Sequence, residues 1–213
     1  MFEELDAIKK DKYGEFDPKA IRVHRAISWG KVAEKAESID EKFIFYWIAL
    51  NAAYSDDSSS EEAERTKRKT FFEKISQLDT ESKIKKALFN IPNQLRVFVD
   101  NQYLYTEYWK TQKGEMSSGD FEFVKNKMMK KIYGGLMAKD DDVELLDYLF
   151  TLMSLLRNQI FHGLATYNSS VNREQLKSGV TILEALIPIL IEIVLENDDV
   201  DWGEVSYPYT GNK

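Results

Sequence analysis

The sequence predicts an all-α protein, and three observations carry that expectation. Only 4 Pro and 10 Gly punctuate 213 residues. Apolar residues recur at three- and four-residue spacing over long stretches, which is the period of one helical face. The chain is 43% hydrophobic and 13% aromatic, so it can bury an ordinary core, and global disorder is excluded. No internal repeat of roughly 20–50 residues occurs, so a solenoid is not expected.

The elements follow in order. Asp17-Pro18 reads as an N-cap followed by Pro at the first helical position, opening a helix to about Glu37. Asp40 caps a second helix through FIFYWIALNAAY, which is apolar on nearly all sides and therefore central. DDSSSEEAE, residues 56–64, reads as an acidic loop. A third helix starts in the 60s and ends near Leu78, with further helical stretches at about 80–90 and 93–112. KGEMSSG, 113–119, is a loop, and a helix covers 120–138. The acids of DDD at 140–142 suit the start of a long helix reaching about Ala165. A last helix spans 172–196, with Pro188 inside it, and an irregular, partly mobile tail follows from 198 to 213.

The most apolar stretch, Val180–Leu195, contains Glu184, Glu192 and Pro188. It is shorter than the roughly 20 residues a membrane span requires and reads as a buried core helix, so no membrane is expected as a partner. The N-terminal MFEELDAIKKDKYGEF lacks the apolar segment of a secretory signal. With no Cys anywhere, a cytoplasmic location is expected.

The same composition removes whole classes of chemistry. No thiolate nucleophile or Cys-type zinc site can form, and two His do not make a multi-His metal centre. No P-loop, GxGxxG or GxSxG occurs. No metal site and no cofactor is expected. His24, between Arg22 and Arg25 on an amphipathic helix, reads as a surface or boundary residue, and Trp29, Trp47 and Trp109 read as core or interface anchors.

The net charge of −7 hides segregation. Residues 1–64 hold 9 basic and 15 acidic side chains, residues 65–139 hold 16 and 8, and residues 140–213 hold 4 and 13. The basic third contains Arg65, Lys67, Arg68 and Lys69, then Lys83, Lys85 and Lys86, then Lys125, Lys127, Lys130 and Lys131. It also contains Tyr103, Tyr105, Tyr108 and Trp109. Cations interleaved with aromatics suit an RNA backbone-tracking, base-stacking surface. The alternative is a set of solvated helix faces paired with the acidic thirds.

One constellation can do chemistry. In LLRNQIFHGL, residues 155–164, the helical period gathers Leu149, Leu152, Met153, Leu156, Ile160 and Leu164 on one face. Ser154, Asn158, Phe161, His162 and Ala165 lie roughly opposite, on a face without Lys or Glu. Such a helix is covered twice, and a second copy of the chain is the simplest cover. Asn158 and His162 are four residues apart and Arg157 can lean toward them. An imidazole can move protons near neutral pH, and a guanidinium can hold a phosphate and the charge building on it. These are the requirements of metal-free RNA cleavage by the RNA's own 2′-hydroxyl.

Arg157-Asn158-Gln159-Ile160-Phe161-His162 resembles the R-x4-6-H signature of the HEPN superfamily, including the polar residue after the Arg. FIFYWIALNAAY resembles the aromatic early helix of that superfamily, and the similarity is greatest to Apea-like and abortive-infection-type members. The resemblance covers about 17–55 and 140–197. It implies a single HEPN-like helical-bundle domain over 1–213, with 56–139 as an insertion of extra helices. It implies a homodimer whose composite cleft acts as an endoribonuclease, giving 2′,3′-cyclic phosphate and 5′-hydroxyl ends. A toxin–antitoxin or anti-phage setting, with an antitoxin or inhibitor protein as partner, is implied as well. Carried over by position, Arg157 and His162 would be catalytic, Asn158 would orient the His or the phosphate, and Asn51 and Tyr167 would neighbour the cleft. Toxins of this superfamily paired with minimal nucleotidyltransferases carry a Tyr two residues after the His, where this chain has Leu164. A non-catalytic HEPN module binding RNA, nucleotide or protein is the alternative.

Overall fold

In the computed structural model, residues 1–13, 20–54, 61–138, 142–170 and 173–205 are described. Among them the chain is all-helical, with no strand. The α-helices are α1 Phe2–Tyr13, α2 Ile21–Lys35, α3 Ile39–Tyr54, α4 Glu61–Leu78, α5 Lys83–Phe89, α6 Pro92–Asp100, α7 Thr106–Gln112, α8 Ser118–Met137, α9 Asp142–Phe161 and α10 Arg173–Glu196. A 3₁₀ turn, Gln102–Leu104, separates α6 from α7.

The chain divides into two compact units, Met1–Ile84 with Leu183–Lys213, and Lys85–Ile182. The expected insertion, 56–139, is therefore not one of the units. Its first cations belong to one unit and its last to the other.

In the first unit, α1 is an addition to the expected elements. Phe2, Leu5 and Lys9 are buried on one face of it. Lys9 serves as a core residue through its alkyl stem, which conceals the stripe from a hydrophobic count. Glu3 and Glu4 near the start and Lys10 and Lys12 near the end complement the helix dipole. The Phe2 ring lies against Gly30 of α2, where an added Cβ would stand 2.1 Å from Phe2 Cε1. Glycine is required there by close approach. The Asp17-Pro18 cap lies outside the described residues, and α2 is first described at Ile21.

Central α3 is as apolar as expected, with Phe43, Tyr46, Trp47 and Leu50 nearly fully buried. Phe43 and Trp47 stack at 6.3 Å. Lys42 Nζ lies 3.2 Å from Glu184 Oε1, tying α3 to α10. Helix α4 already begins at Glu61, inside the stretch expected as an acidic loop, of which 55–60 lie outside the described residues. The start of the tail is irregular as expected, but it is anchored. Arg22 donates to the carbonyls of Gly203 and Glu204, both at 3.1 Å. Trp202 packs on Phe71 at 5.8 Å, and Lys74 Nζ donates to the Asp201 carbonyl. Residues 206–213 lie outside the described set. A cavity of about 360 Å³ lined by Tyr13, Arg22, Val194 and Trp202, among others, includes none of the candidate site residues.

In the second unit, the helical pieces expected around 93–112 are α6 and α7, separated by a break. The Asn101 side chain accepts from the Tyr103 amide at 3.0 Å, an Asx turn that ends α6. Asn101 Nδ2 also donates to Gln175 Oε1 at 3.1 Å, which holds the break against the start of α10. Ser117 caps α8 by accepting from the Asp120 amide. Gly179 of α10 permits close contact, since a Cβ there would stand 3.2 Å from Leu156 and from Phe98. Pro188 sits inside α10, which continues to Glu196. That helix is long and apolar enough to cross a membrane by composition, and 72% of its most apolar window is buried within the protein.

Candidate functional site

The site is built on α9 and the turn that ends it. Leu145, Leu146, Leu149, Phe150, Leu152, Met153 and Leu156 are buried along one side of the helix. At its N-terminus, buried Asp142 lies 2.7 Å from Lys85 Nζ, which also donates to the Ala138 carbonyl at 2.6 Å. The third acid of the DDD run is thus a structural partner, while the first two lie outside the described residues. Among the described residues no group of three or more His, Cys, Asp or Glu could hold a metal ion.

The helix ends four residues earlier than the expected Ala165. Gly163 has φ +67, its amide donates to the Ile160 carbonyl at 3.1 Å, and the Leu164 amide reaches back to Gln159 at 2.8 Å. This is a Schellman ending with glycine at C′, and it places His162 at the C-cap. The sequence signal was present in His162-Gly163. The consequence is that Leu164 leaves the core stripe and is 74% exposed.

Arg157 and Asn158 are half-buried on the last helical turns, and His162 is exposed beyond them. The His162 amide still donates to the Asn158 carbonyl at 3.1 Å, so the two residues keep their four-residue relation through the cap. Phe161 is 49% exposed and Tyr167 65%. The face opposite the core stripe is therefore uncovered at its C-terminal end within this chain. Tyr167 lies in the following turn, where Arg173 Nε donates to the Ser169 carbonyl at 2.9 Å. Asn51 belongs to the other unit, where its Oδ1 accepts from the Tyr54 hydroxyl at 2.9 Å.

Gln159 was missed by sequence reasoning. Its side chain is buried, and its Nε2 donates to the Tyr103 carbonyl at 2.9 Å. The same carbonyl accepts from the Trp109 indole at 3.1 Å. One carbonyl thus joins the RNQIFH segment to an aromatic cluster in which Tyr103 meets Tyr108 edge-on at 5.2 Å and Trp109 meets Tyr108 edge-on at 5.3 Å. Partial desolvation and the neighbouring Tyr103 push the Tyr108 phenol up, so it carries no charge at neutral pH. Trp109 is not a core anchor: it is 39% exposed, whereas Trp47 is 1% exposed. Tyr105, grouped with it in sequence, is buried and donates to the Val99 carbonyl.

The expected RNA-binding cations separate into two sets. Arg68 and Lys85 are buried and cannot reach a ligand at the surface. Lys83 lies 3.5 and 3.6 Å from Glu192 and Glu196, and Lys131 lies 2.8 Å from Glu144. Lys125 pairs with Asp100 at 2.7 Å. Lys83, Lys85, Lys125 and Lys131 thus pair with acids, all but Asp100 in the acidic C-terminal third. Arg65, Lys69, Lys86, Lys127 and Lys130 are exposed, and Lys67 is half-buried. His24, expected at the surface or a boundary, is exposed with its Nδ1 3.0 Å from Lys9 Nζ.

No family model, no curated protein and no solved structure matches this chain.

Proposed function

We propose that the protein is a metal-independent endoribonuclease of HEPN type, acting as a homodimer through a composite cleft around Arg157, Asn158 and His162. The observation that carries the reading is the exposed imidazole of His162 at the end of α9, just beyond half-buried Arg157 and Asn158. In this reading the 2′-hydroxyl oxygen attacks the adjacent phosphorus and the P–O5′ bond breaks. One imidazole takes the 2′-hydroxyl proton and the second subunit's supplies a proton to O5′. Arg157 stabilises the charge on the phosphoryl oxygens. The exposed Phe161, Leu164 and Tyr167 support a further surface covering this face, for which a second copy is the simplest candidate. A toxin–antitoxin or anti-phage setting, with an antitoxin or inhibitor as partner, belongs to the same proposal.

The test is incubation of the full chain with mixed RNA classes in EDTA. Wild type is expected to cut, and Arg157→Ala to lose about 10²–10³-fold of the rate, the effect of removing one group that stabilises developing charge. Tight, salt-sensitive RNA binding without turnover would instead assign a non-catalytic binding module. Equal cutting by wild type and Arg157→Ala would contradict the proposal.

A further inference from the structure

We propose that Tyr103, Tyr108 and Trp109 form a nucleobase-stacking platform beside the candidate site, and that the RNA it accepts is single-stranded. The inference rests on the ribonuclease reading for the identity of the site, and it adds the substrate class.

Four observations lead to it. Trp109 is 39% exposed although its indole N–H is already satisfied by the Tyr103 carbonyl. That bond fixes the indole N–H, and part of the ring remains open to solvent. The ring is braced edge-on by Tyr108, itself braced by Phe121 of α8 at 5.7 Å, so the platform is ordered before a base arrives.

The second observation is placement. Gln159, which bonds the same Tyr103 carbonyl, is three residues before His162, so the last turn of α9 and the C-cap that follows it bring the two close together. The backbone carbonyl of Gln159 also takes the Leu164 and Ala165 amides that close the helix. One residue therefore positions both the turn that carries His162 and the aromatic cluster.

Charge is the third. Lys110 and Lys113, on and just after the last turn of α7, are exposed and make no ion pair among the described residues. They flank Trp109 in the way a base-stacking surface needs cations for the phosphates. Lys127 and Lys130 are exposed on α8, which packs against α7. The lysines spent on acids elsewhere are replaced as candidates by these.

The fourth is chemical. A ring presented to solvent can stack on a base only when that base is unpaired and splayed out. In an A-form duplex the bases are stacked on one another and their faces are hidden. Stacking is tolerant of base identity, so the platform selects strandedness rather than sequence.

The experiment uses the full chain carrying His162→Ala, so that binding is read without cleavage. The probes are a fluorescein-labelled RNA of about 12 nucleotides and the same strand annealed to its complement. The single strand is expected to bind more tightly than the duplex. Trp109→Ala is expected to weaken single-strand binding by about 5- to 150-fold, the loss of one base–aromatic stack, and Trp109→Phe to keep most of it. Lys110→Gln with Lys113→Gln is expected to flatten the salt dependence. Unchanged single-strand affinity in Trp109→Ala, or equal binding of duplex and single strand, would overturn the platform. If that happened while wild type still cut RNA, the ribonuclease reading would stand alone. If binding depended on Trp109 but wild type cut nothing, the platform would stand and the ribonuclease reading would fall.

Discussion

Replacing His162 with alanine is expected to lower the rate of RNA cleavage by about 10²–10⁴-fold, the usual contribution of one positioned proton-transfer group, while leaving the fold as stable as before. The stability half of this expectation follows from the cap. His162 stands at the C-cap of α9 with an exposed side chain, and the bonds that close the helix come from backbone amides and from Gly163. Alanine supplies the same amide to the Asn158 carbonyl, and exposed substitutions away from such features usually change stability by no more than about 0.5 kcal/mol. The activity half follows from the inventory. The other histidine, His24, has its Nδ1 3.0 Å from Lys9 Nζ. Single-turnover cleavage in EDTA beside a thermal melt reads both halves. A lost melt would mean a structural role, and an unchanged rate would mean that His162 moves no proton.

Asp6→Ala is expected to destabilise the first unit by about 3 kcal/mol, because it strands a buried cation. Lys9 is 2% exposed, and its Nζ has two polar contacts, Asp6 Oδ1 at 3.3 Å and His24 Nδ1 at 3.0 Å. Asp6 also takes Lys31 at 2.8 Å and Lys10 at 2.9 Å. Burial alone would raise its carboxyl, but hydrogen bonds from these three lysines win and hold it well below the usual carboxylate range. A carboxyl more acidic in the folded chain contributes stability that is present above its unfolded value. That contribution is lost as pH falls below about 3.8 toward the folded value. His24 adds a second window. Desolvation and then Lys9 hold its imidazole below the ordinary 6.5, so the unfolded chain takes up this proton first and stability declines as pH drops below 6.5. Chemical denaturation of Asp6→Ala, and of Asp6→Ala with Lys9→Met, separates the causes. The double variant is expected to recover most of the loss, because no buried charge is then stranded. No recovery would place the cost in packing instead.

The all-helical class was legible because the period of apolar residues is a local property, whereas the start of α8 at Ser118 falls inside the stretch expected as a loop, 113–119. Features that depend on a partner distant in sequence were not legible. Lys9 looks like a surface residue until α2, which brings His24 to it, is known to cover it. The end of α6 at Asn101 depends on a side chain that bonds both Tyr103 and Gln175. The division of the chain was hidden for the same reason, since charge segregation does not follow contacts: Lys83 is spent on Glu192 and Glu196. Within the site, Arg157, Asn158 and His162 could be chosen by residue type and spacing, and Gly163 marked the helix end. Gln159 could not be chosen, because its role is set by a carbonyl 56 residues away in sequence.

End-group analysis of RNA cut in EDTA tests the proposed metal-free cleavage at Arg157 and His162. The result expected is fragments ending in 2′,3′-cyclic phosphate and beginning with 5′-hydroxyl, formed by wild type and lost in His162→Ala. Fragments with 3′-hydroxyl and 5′-phosphate ends, or the same fragments formed equally by His162→Ala, would contradict it.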